Sequence, residues 1–269
     1  MRRSPRLIIA IVIAIISLVS YYTAREYNPV TKETQHVNIT PKQEIALGLQ
    51  AAPQMASQFG GLSPDQQKQA LVDQVGNRLV SKTEAGQTPY KFDFHLLADE
   101  QTINAFALPG GQIFITEGLM KLMGTEGELA GVLGHEIGHV VARHAAEHLA
   151  KAQLTEGLTG AAILATYDPD DPSSQRTAAV AALIGNLINM KFSRDDELEA
   201  DRLGVRFTSE AGYDPRAMIR MMETLAQASK GQRPPEFFST HPNPERRIEQ
   251  IKAAIQERFP NGVPNGLAQ

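Results

Sequence analysis

His135-Glu136-Ile137-Gly138-His139 is the stretch of this sequence that decides its fold. On an α-helix, residues four apart lie on the same face, so both histidines can reach one metal ion at about 2.0–2.1 Å from a ring nitrogen. A zinc ion in this position lowers the pKa of a bound water to about 7 and polarises a carbonyl, while Glu136 can take the proton. The pattern therefore predicts a zinc site that hydrolyses peptide bonds.

The residues around this stretch predict a long, largely apolar helix. Thr125 followed by Glu128 forms a capping box that begins the helix. The apolar positions that follow are Leu129, Val132, Leu133, Ile137, Val140 and Val141. Such a helix would bury His135 and His139, and buried polar groups need partners. A zinc site is therefore preferred to a structural pair of core histidines.

A catalytic zinc ion takes three protein ligands, so a third must come from elsewhere. If the helix continues, His144 and His148 point away from the metal, and we expect both at the surface. The metzincin pattern, in which the third histidine follows a turn, is excluded because Ala142 and Ala145 occupy its glycine and histidine positions.

The acidic cluster Asp195–Asp201 supplies the remaining candidates and opens a second predicted helix. Glu197 and Asp201 share a face, so Glu197 can be the third ligand while Asp201 points into the same cavity as a partner or proton donor. Glu199 should face away. Asp195 and Asp196 are expected to form a solvated first turn that the helix dipole favours.

This combination of motifs resembles the HtpX and CAAX-prenyl-protease family of zinc peptidases, over roughly residues 28–258. The segments Asn104–Ile115 and Ser239–Pro242 are also similar to that family. The resemblance implies a gluzincin fold with one zinc ion per chain. It implies His135, His139 and Glu197 as ligands, Glu136 as general base and Asp201 as acidic partner. The resemblance is strongest to small extracytoplasmic bacterial members that act on damaged or misassembled envelope proteins.

A β-hairpin is predicted directly before the zinc helix. Ile103–Leu108 and Gln112–Ile115 flank the turn Pro109-Gly110-Gly111. Peptidases commonly bind the substrate backbone as an added strand, so a substrate could lie along this hairpin. Asn104 could then bind the substrate main chain, although an Asn at a strand start is as often a local backbone cap.

His241 has two alternative interpretations. It precedes a helix that begins near Asn243 and Pro244, and it could reach the active site. There it could stabilise the oxyanion, or act as a regulatory fourth ligand that keeps the enzyme latent. Alternatively, it is a turn histidine that anchors the last helix.

Composition and the N-terminus bear on location. The chain has 269 residues, a net charge of −4 and no cysteine, which gives no electrostatic reason for nucleic-acid binding and excludes thiolate zinc sites. Arg2, Arg3 and Arg6 precede an uncharged run, Leu7–Tyr22, typical of a signal peptide or a short signal-anchor. An uncleaved anchor within residues 7–24 is preferred, with the rest of the chain outside the cytoplasmic membrane, in the periplasm.

The predicted organisation has four parts. Residues 1–24 form the signal-anchor or signal peptide, 25–39 a tether, 40–259 the zinc metallopeptidase domain and 260–269 a disordered tail. The fold class is α+β and mostly helical, with a small sheet that begins at Phe92–Leu97. The apolar runs Gly160–Ala165 and Ala178–Met190 are too short for membrane spans, which argues against a multispanning prenyl-protein peptidase.

The function predicted from these observations is a zinc-dependent endopeptidase for unfolded or misassembled envelope proteins, in protein quality control. Its partners would be those substrates and, through the N-terminal segment, a membrane. The alternative is a latent, chaperone-like protein that holds clients in the same groove. An intact Glu136 favours the enzyme, because a binding protein has no need of a water-activating carboxylate.

Overall fold

The computed structural model describes residues 5–166, 191–229, 235–241 and 247–269, with side chains from residue 7 to 158 in the first range. It divides into two compact units, Met1–Thr40 with Ala145–Asn189, and Pro41–His144 with Met190–Gln269. The predicted apolar run Ala178–Met190 and the predicted helix start at Asn243 and Pro244 lie outside the described residues.

The described elements confirm the mostly helical α+β class. The helices are α1 (Pro5–Thr23), α2 (Pro41–Gln58), α3 (Gln66–Lys82), α4 (Glu117–Met120), α5 (Glu126–Val141), α6 (His144–Thr166), α7 (Arg194–Glu210), α8 (Ala217–Ala228), α9 (Phe237–Thr240) and α10 (Arg247–Arg258). The strands are β1 (Arg25–Asn28), β2 (Glu33–His36), β3 (Asp93–Leu97), β4 (Ala105–Ala107) and β5 (Gln112–Thr116).

The first unit contains α1, a hairpin and most of α6. β1 and β2 pair antiparallel, with Asn28 opposite Glu33, where the sequence alone predicts an irregular tether. Asn28 stabilises the turn, because its side-chain oxygen accepts a hydrogen bond from the Val30 amide. Most large apolar side chains of α1 are exposed, including Ile8 and Ile16. No helix in the described part of the chain is both long and apolar enough to cross a membrane.

The second unit is built on a sheet of strand order β3-β5-β4. β3 runs parallel to β5, and β4 pairs antiparallel to β5 with Phe106 opposite Phe114, which confirms the predicted hairpin. Gly110 and Gly111 make its turn with φ angles of 83° and 109°, a region that side chains rarely adopt. Every residue of β5 is buried, whereas β4 lies at the edge of the sheet.

Helices α5 and α7 form the best-packed pair of this unit. The Thr125 side chain caps α5, accepting a hydrogen bond from the Glu128 amide. The Glu128 carboxylate accepts from the Gly124 amide, so only the Thr125 half of the predicted capping box is confirmed. Gly138 allows the close approach, since a Cβ there would lie 3.1 Å from the Ala200 carbonyl oxygen. Ser193 and Asp196 form a capping box at the start of α7, so Asp196 is buried by this role rather than solvated as expected.

The C-terminal part closes the second unit. Met218, Met222 and Leu225 of α8 are buried, which confirms them as core. The last residues differ from the predicted disordered tail, because Ala268 forms a parallel β-bridge with Tyr213. The Ala268 carbonyl accepts a hydrogen bond from the Asp214 amide, and the Ala268 amide donates one to the Gly212 carbonyl. The sequence of the tail contains no pattern that indicates these long-range hydrogen bonds.

Candidate metal centre

The structure brings together the three residues that the sequence proposes as metal ligands. His135 and His139 project from α5, and their Nε2 atoms lie 3.1 Å apart. Glu197 arrives from the first turn of α7, with its Oε1 atom 3.4 Å from His139 Nε2 and its Oε2 atom 3.6 Å from His135 Nε2. All three side chains are buried.

These spacings fit a tetrahedral metal ion. Two ligand atoms bound to one zinc ion at 2.0–2.1 Å are about 3.3 Å apart in tetrahedral geometry. The three separations between the donor atoms, 3.1, 3.4 and 3.6 Å, lie close to that value on both sides. Two imidazole nitrogens and a carboxylate are also one of the donor sets that catalytic zinc sites use. The group can therefore hold a metal ion.

His241 joins this group as a fourth donor. Its Nδ1 atom lies 3.0 Å from Glu197 Oε1 and 3.4 Å from His135 Nε2. The four residues together are the metal-binding candidate of the described chain. Burial would lower the pKa of His241, but the carboxylates of Glu136 and Glu197 outweigh it and raise the pKa above its usual value.

Glu136 lies beside this group in a fully buried position. Neither of its carboxylate oxygens has a hydrogen-bond partner among the described residues. The nearest ionisable contact is His241 Nε2, 3.5 Å from Glu136 Oε1. Burial raises the pKa of Glu136 above its usual value, although His241 and His135 oppose the shift. An orphaned buried carboxylate needs a water, a ligand or a proton to satisfy it.

The pKa values of His139 and Glu197 both fall below their usual ranges, but for different reasons. Burial lowers the pKa of His139 well below its usual range, so its ring is neutral at pH 7. Burial alone would raise the pKa of Glu197, but His241 and His139 bring it well below its usual range. A neutral imidazole and an ionised carboxylate are the forms that bind a metal ion.

Asp201 lies next to His135, as the sequence predicts, and Arg247 lies next to Asp201. Asp201 Oδ1 is 3.0 Å from His135 Nδ1. The buried guanidinium of Arg247 donates to both Asp201 oxygens at 2.5 and 2.7 Å, and its other terminal nitrogen is 2.9 Å from Glu197 Oε2. Burial would raise the pKa of Asp201, but Arg247 keeps it below its usual value.

His144 corrects one expectation, and Glu199 is its partner. His144 is buried rather than at the surface, and its Nδ1 atom lies 2.8 Å from His139 Nδ1. Glu199 turns away from Glu197 as expected, but its carboxylate meets His144 Nε2 at 3.0 Å. The expectation failed because it assumed one continuous helix. Helix α5 ends at Val141, and Arg143 adopts a left-handed conformation with φ of 58° before α6 begins.

Aromatic rings cover the centre. Phe192 stacks on His139 with ring centroids 4.0 Å apart, and Phe237 stacks on His241 at 4.7 Å. The Phe237 amide donates a hydrogen bond to the Ile103 carbonyl, next to Asn104. Asn104 is buried directly before β4, and its side-chain oxygen has no hydrogen-bond partner among the described residues.

Arg247 and His144 are the residues that sequence reasoning missed. Arg247 carried a usable signal, because a cation in the first turn of a helix opposes the helix dipole and therefore needs a specific partner. His144 carried no signal. Its position depends on an arginine in a conformation that favours glycine, and nothing local in the sequence marks that turn.

Known proteins match this chain across the residues of the site. A model of peptidase family M48 matches residues 66–255. A beta-barrel assembly-enhancing protease of Yersinia pestis is 35% identical over 196 residues, which cover 71% of this chain and 39% of that protein. The mitochondrial metalloendopeptidase OMA1 of Schizosaccharomyces pombe is 32% identical over 243 residues, covering 89% of this chain and 69% of that protein. The chain thus spans about two fifths of the assembly-enhancing proteases and over two thirds of the yeast protein.

Proposed function

This chain belongs to peptidase family M48 and carries the site of a metallopeptidase, and we propose that it is a zinc-dependent endopeptidase for unfolded or misassembled envelope proteins. The observation that carries this proposal is the placement of Glu136. Its carboxylate is buried and lacks a hydrogen-bond partner in the described chain, beside a set of donors at tetrahedral spacing. The name of the bacterial relatives, beta-barrel assembly-enhancing protease, supports the envelope substrates.

In this proposal His135, His139 and Glu197 hold the zinc ion. When bound, zinc supplies the Lewis acidity that polarises the peptide carbonyl and acidifies a water molecule. Glu136 takes the proton of the attacking water and passes it to the leaving amine. Asp201, fixed by Arg247, holds the His135 ring through its Nδ1 atom.

The substrate would bind as an extended strand along β4. This strand lies at the sheet edge and immediately follows Asn104. The unpartnered oxygen of Asn104 can accept a hydrogen bond from a substrate amide, which makes it a backbone-binding residue in the proposal. Recognition through the main chain suits unfolded clients, because it does not depend on their side chains.

The test is cleavage of casein by the full chain and by Glu136→Gln, with bound zinc measured on both samples. Equal zinc with cleavage only by the unaltered chain is the expected result. It would separate the role of Glu136 in proton transfer from any role in metal binding. Absence of zinc from both samples would contradict the ligand assignment and the proposal with it.

A second candidate function is a latent, chaperone-like protein that binds clients in the same groove. The observation that favours it is the position of His241, whose Nδ1 atom lies 3.0 Å from Glu197 Oε1 and 3.4 Å from His135 Nε2. As a regulatory fourth ligand, His241 would exclude the water that Glu136 needs. As an oxyanion stabiliser it would instead assist cleavage. The latent protein would bind zinc and clients without cutting them.

The proposed location is the periplasmic side of a bacterial membrane, with attachment through residues 7–24. Supporting this are the arginines that precede α1 and the apolar side chains that α1 exposes. Membrane fractionation of the full chain, with and without residues 7–24, tests it. We also propose a narrower relationship to HtpX and the CAAX-prenyl proteases. The relatives that match this chain have other names, beta-barrel assembly-enhancing protease and OMA1.

A further inference from the structure

His139 has its own chain of outer partners, and these are separate from the Asp201 and Arg247 pair that holds His135. His139 Nδ1 faces His144 Nδ1 at 2.8 Å, and His144 Nε2 faces a Glu199 carboxylate oxygen at 3.0 Å. His144 is buried, whereas the Glu199 side chain is 17% exposed. The chain therefore runs from the metal centre towards solvent.

The proton positions along this chain follow from the ligand role of His139. A ring nitrogen that binds a metal ion carries no proton, and His139 Nε2 is the atom that faces Glu197 and His135. The His139 proton is then on Nδ1 and is donated to His144 Nδ1. His144 in turn carries its proton on Nε2 and donates it to Glu199.

We infer that His144 and Glu199 are positioning residues that fix the ring orientation and the tautomer of the metal ligand His139. This inference rests on the proposed zinc site. His139 is then linked to the Glu199 carboxylate through His144, whereas His135 contacts the Asp201 carboxylate directly. Neither residue touches the substrate or the metal.

A buried ion pair holds the turn that makes this chain possible. Arg143, in its left-handed conformation, donates from Nε to Glu44 Oε1 at 2.8 Å, and a terminal nitrogen lies 2.6 Å from the same oxygen. The Tyr90 hydroxyl is 3.2 Å from both Glu44 oxygens. These contacts offset the cost of a non-glycine residue at this φ angle. The chain can therefore turn back after α5, which places His144 against His139.

The experiment measures the zinc dissociation constant of the full chain by competition with a chelator. His144→Ala should weaken zinc binding roughly 10- to 100-fold, the range typical for outer partners of metal-ligating histidines. Glu199→Ala should weaken it less. The double variant should match His144→Ala alone, because Glu199 acts only through His144. The cobalt-substituted protein should show altered visible absorption bands in His144→Ala.

Matched controls separate this role from charge and stability. Glu210→Ala removes a glutamate from the same helix α7, where it pairs with Arg258 at 3.0 Å, and should leave zinc affinity unchanged. His148→Ala removes a histidine one turn further along α6 and should do the same. If His144→Ala does not fold, Glu199→Ala against Glu210→Ala decides the question.

The contrary outcomes are distinct. Zinc affinity within twofold of the unaltered chain in both His144→Ala and Glu199→Ala overturns the inference and leaves the proposed function standing. The inference is also overturned if the fold-loss of zinc affinity in the double variant equals the product of the fold-losses in the two single variants. The two residues would then act independently. An unaltered chain that binds no zinc overturns the proposed function and this inference together.

Discussion

The floor and the cover of the metal centre are built differently. The floor consists of α5 and α7, two capped helices that carry His135, Glu136, His139, Glu197 and Asp201. The cover is the segment from Pro235 to His241, which contains α9. Among the described residues, two backbone hydrogen bonds tie the cover to other parts of the chain, Phe237 to Ile103 and Phe192 to Thr240. Changes in the floor should therefore destroy the centre, whereas changes in the cover should alter access to it.

Glu197→Ala is the floor variant with the largest expected effect. It removes a proposed ligand and leaves the Arg247 guanidinium beside an emptied position. The loss of zinc affinity should exceed the roughly 100-fold that an outer partner costs, and casein cleavage should vanish. Zinc content and cleavage rate, measured on the same sample, check this. Retained zinc at a normal level would contradict the ligand role of Glu197.

His241→Ala is the corresponding cover variant, with a smaller effect of opposite sign. If His241 holds the fourth corner of the donor set, its removal opens that corner, and casein cleavage should rise several-fold while three ligands keep the zinc. Phe238→Ala, on α9 and three residues before His241, is the matched control. A fall in cleavage with zinc retained would instead support His241 as oxyanion stabiliser.

Gly138→Ala tests the packing of the floor. The added Cβ would lie 3.1 Å from the Ala200 carbonyl oxygen and 3.2 Å from Leu203 Cβ, so α5 and α7 must move apart. Overpacking costs about 1–3 kcal/mol, against a helix-propensity gain of up to about 1 kcal/mol. The free energy of unfolding in urea should fall by about 1–2 kcal/mol. Gly124→Ala, where the nearest atom is 3.6 Å away, should have little effect.

Asp214 belongs to neither floor nor cover, and the effect expected there depends on pH. Arg216 and Gln269 lower the pKa of this carboxyl to about 2, although burial opposes them. A lowered folded-state pKa contributes stability above pH 4, and this is lost as the pH falls towards 2. Asp214→Asn should therefore cost about 1–2 kcal/mol at pH 7 and nearly nothing at pH 2. An equal cost at both pH values would contradict an ionic role for Asp214.

The floor could be predicted from sequence because its signals are local. The cap of α5, and the spacing of His135 with His139 and of Glu197 with Asp201, lie within a few helical turns. The Ser193–Asp196 capping box of α7 is equally local, but it was missed. The pairing of β4 with β5 is likewise marked by the glycine turn between them. Residues four apart on a helix lie on the same face, so these spacings can be interpreted without knowledge of the rest of the fold.

Apart from Asp201, the outer partners were missed because their contacts join residues that are distant in the sequence. The turn at Arg143 is held by Glu44, 99 positions away in the sequence. Arg247 meets Asp201 across 46 positions. The hairpin of β1 and β2 and the bridge at Ala268 were missed for a related reason, since short polar strands lack a hydrophobic pattern.

Arg247 also connects the last helix, α10, to the residues of the metal centre. Its guanidinium joins the start of α10 to Asp201 and to the proposed ligand Glu197, all in buried positions. If seating α10 changes the affinity of the centre for zinc by some factor, zinc must change the seating of α10 by the same factor. Metal loading would then be readable at a distance, as slower amide hydrogen exchange along Arg247–Arg258.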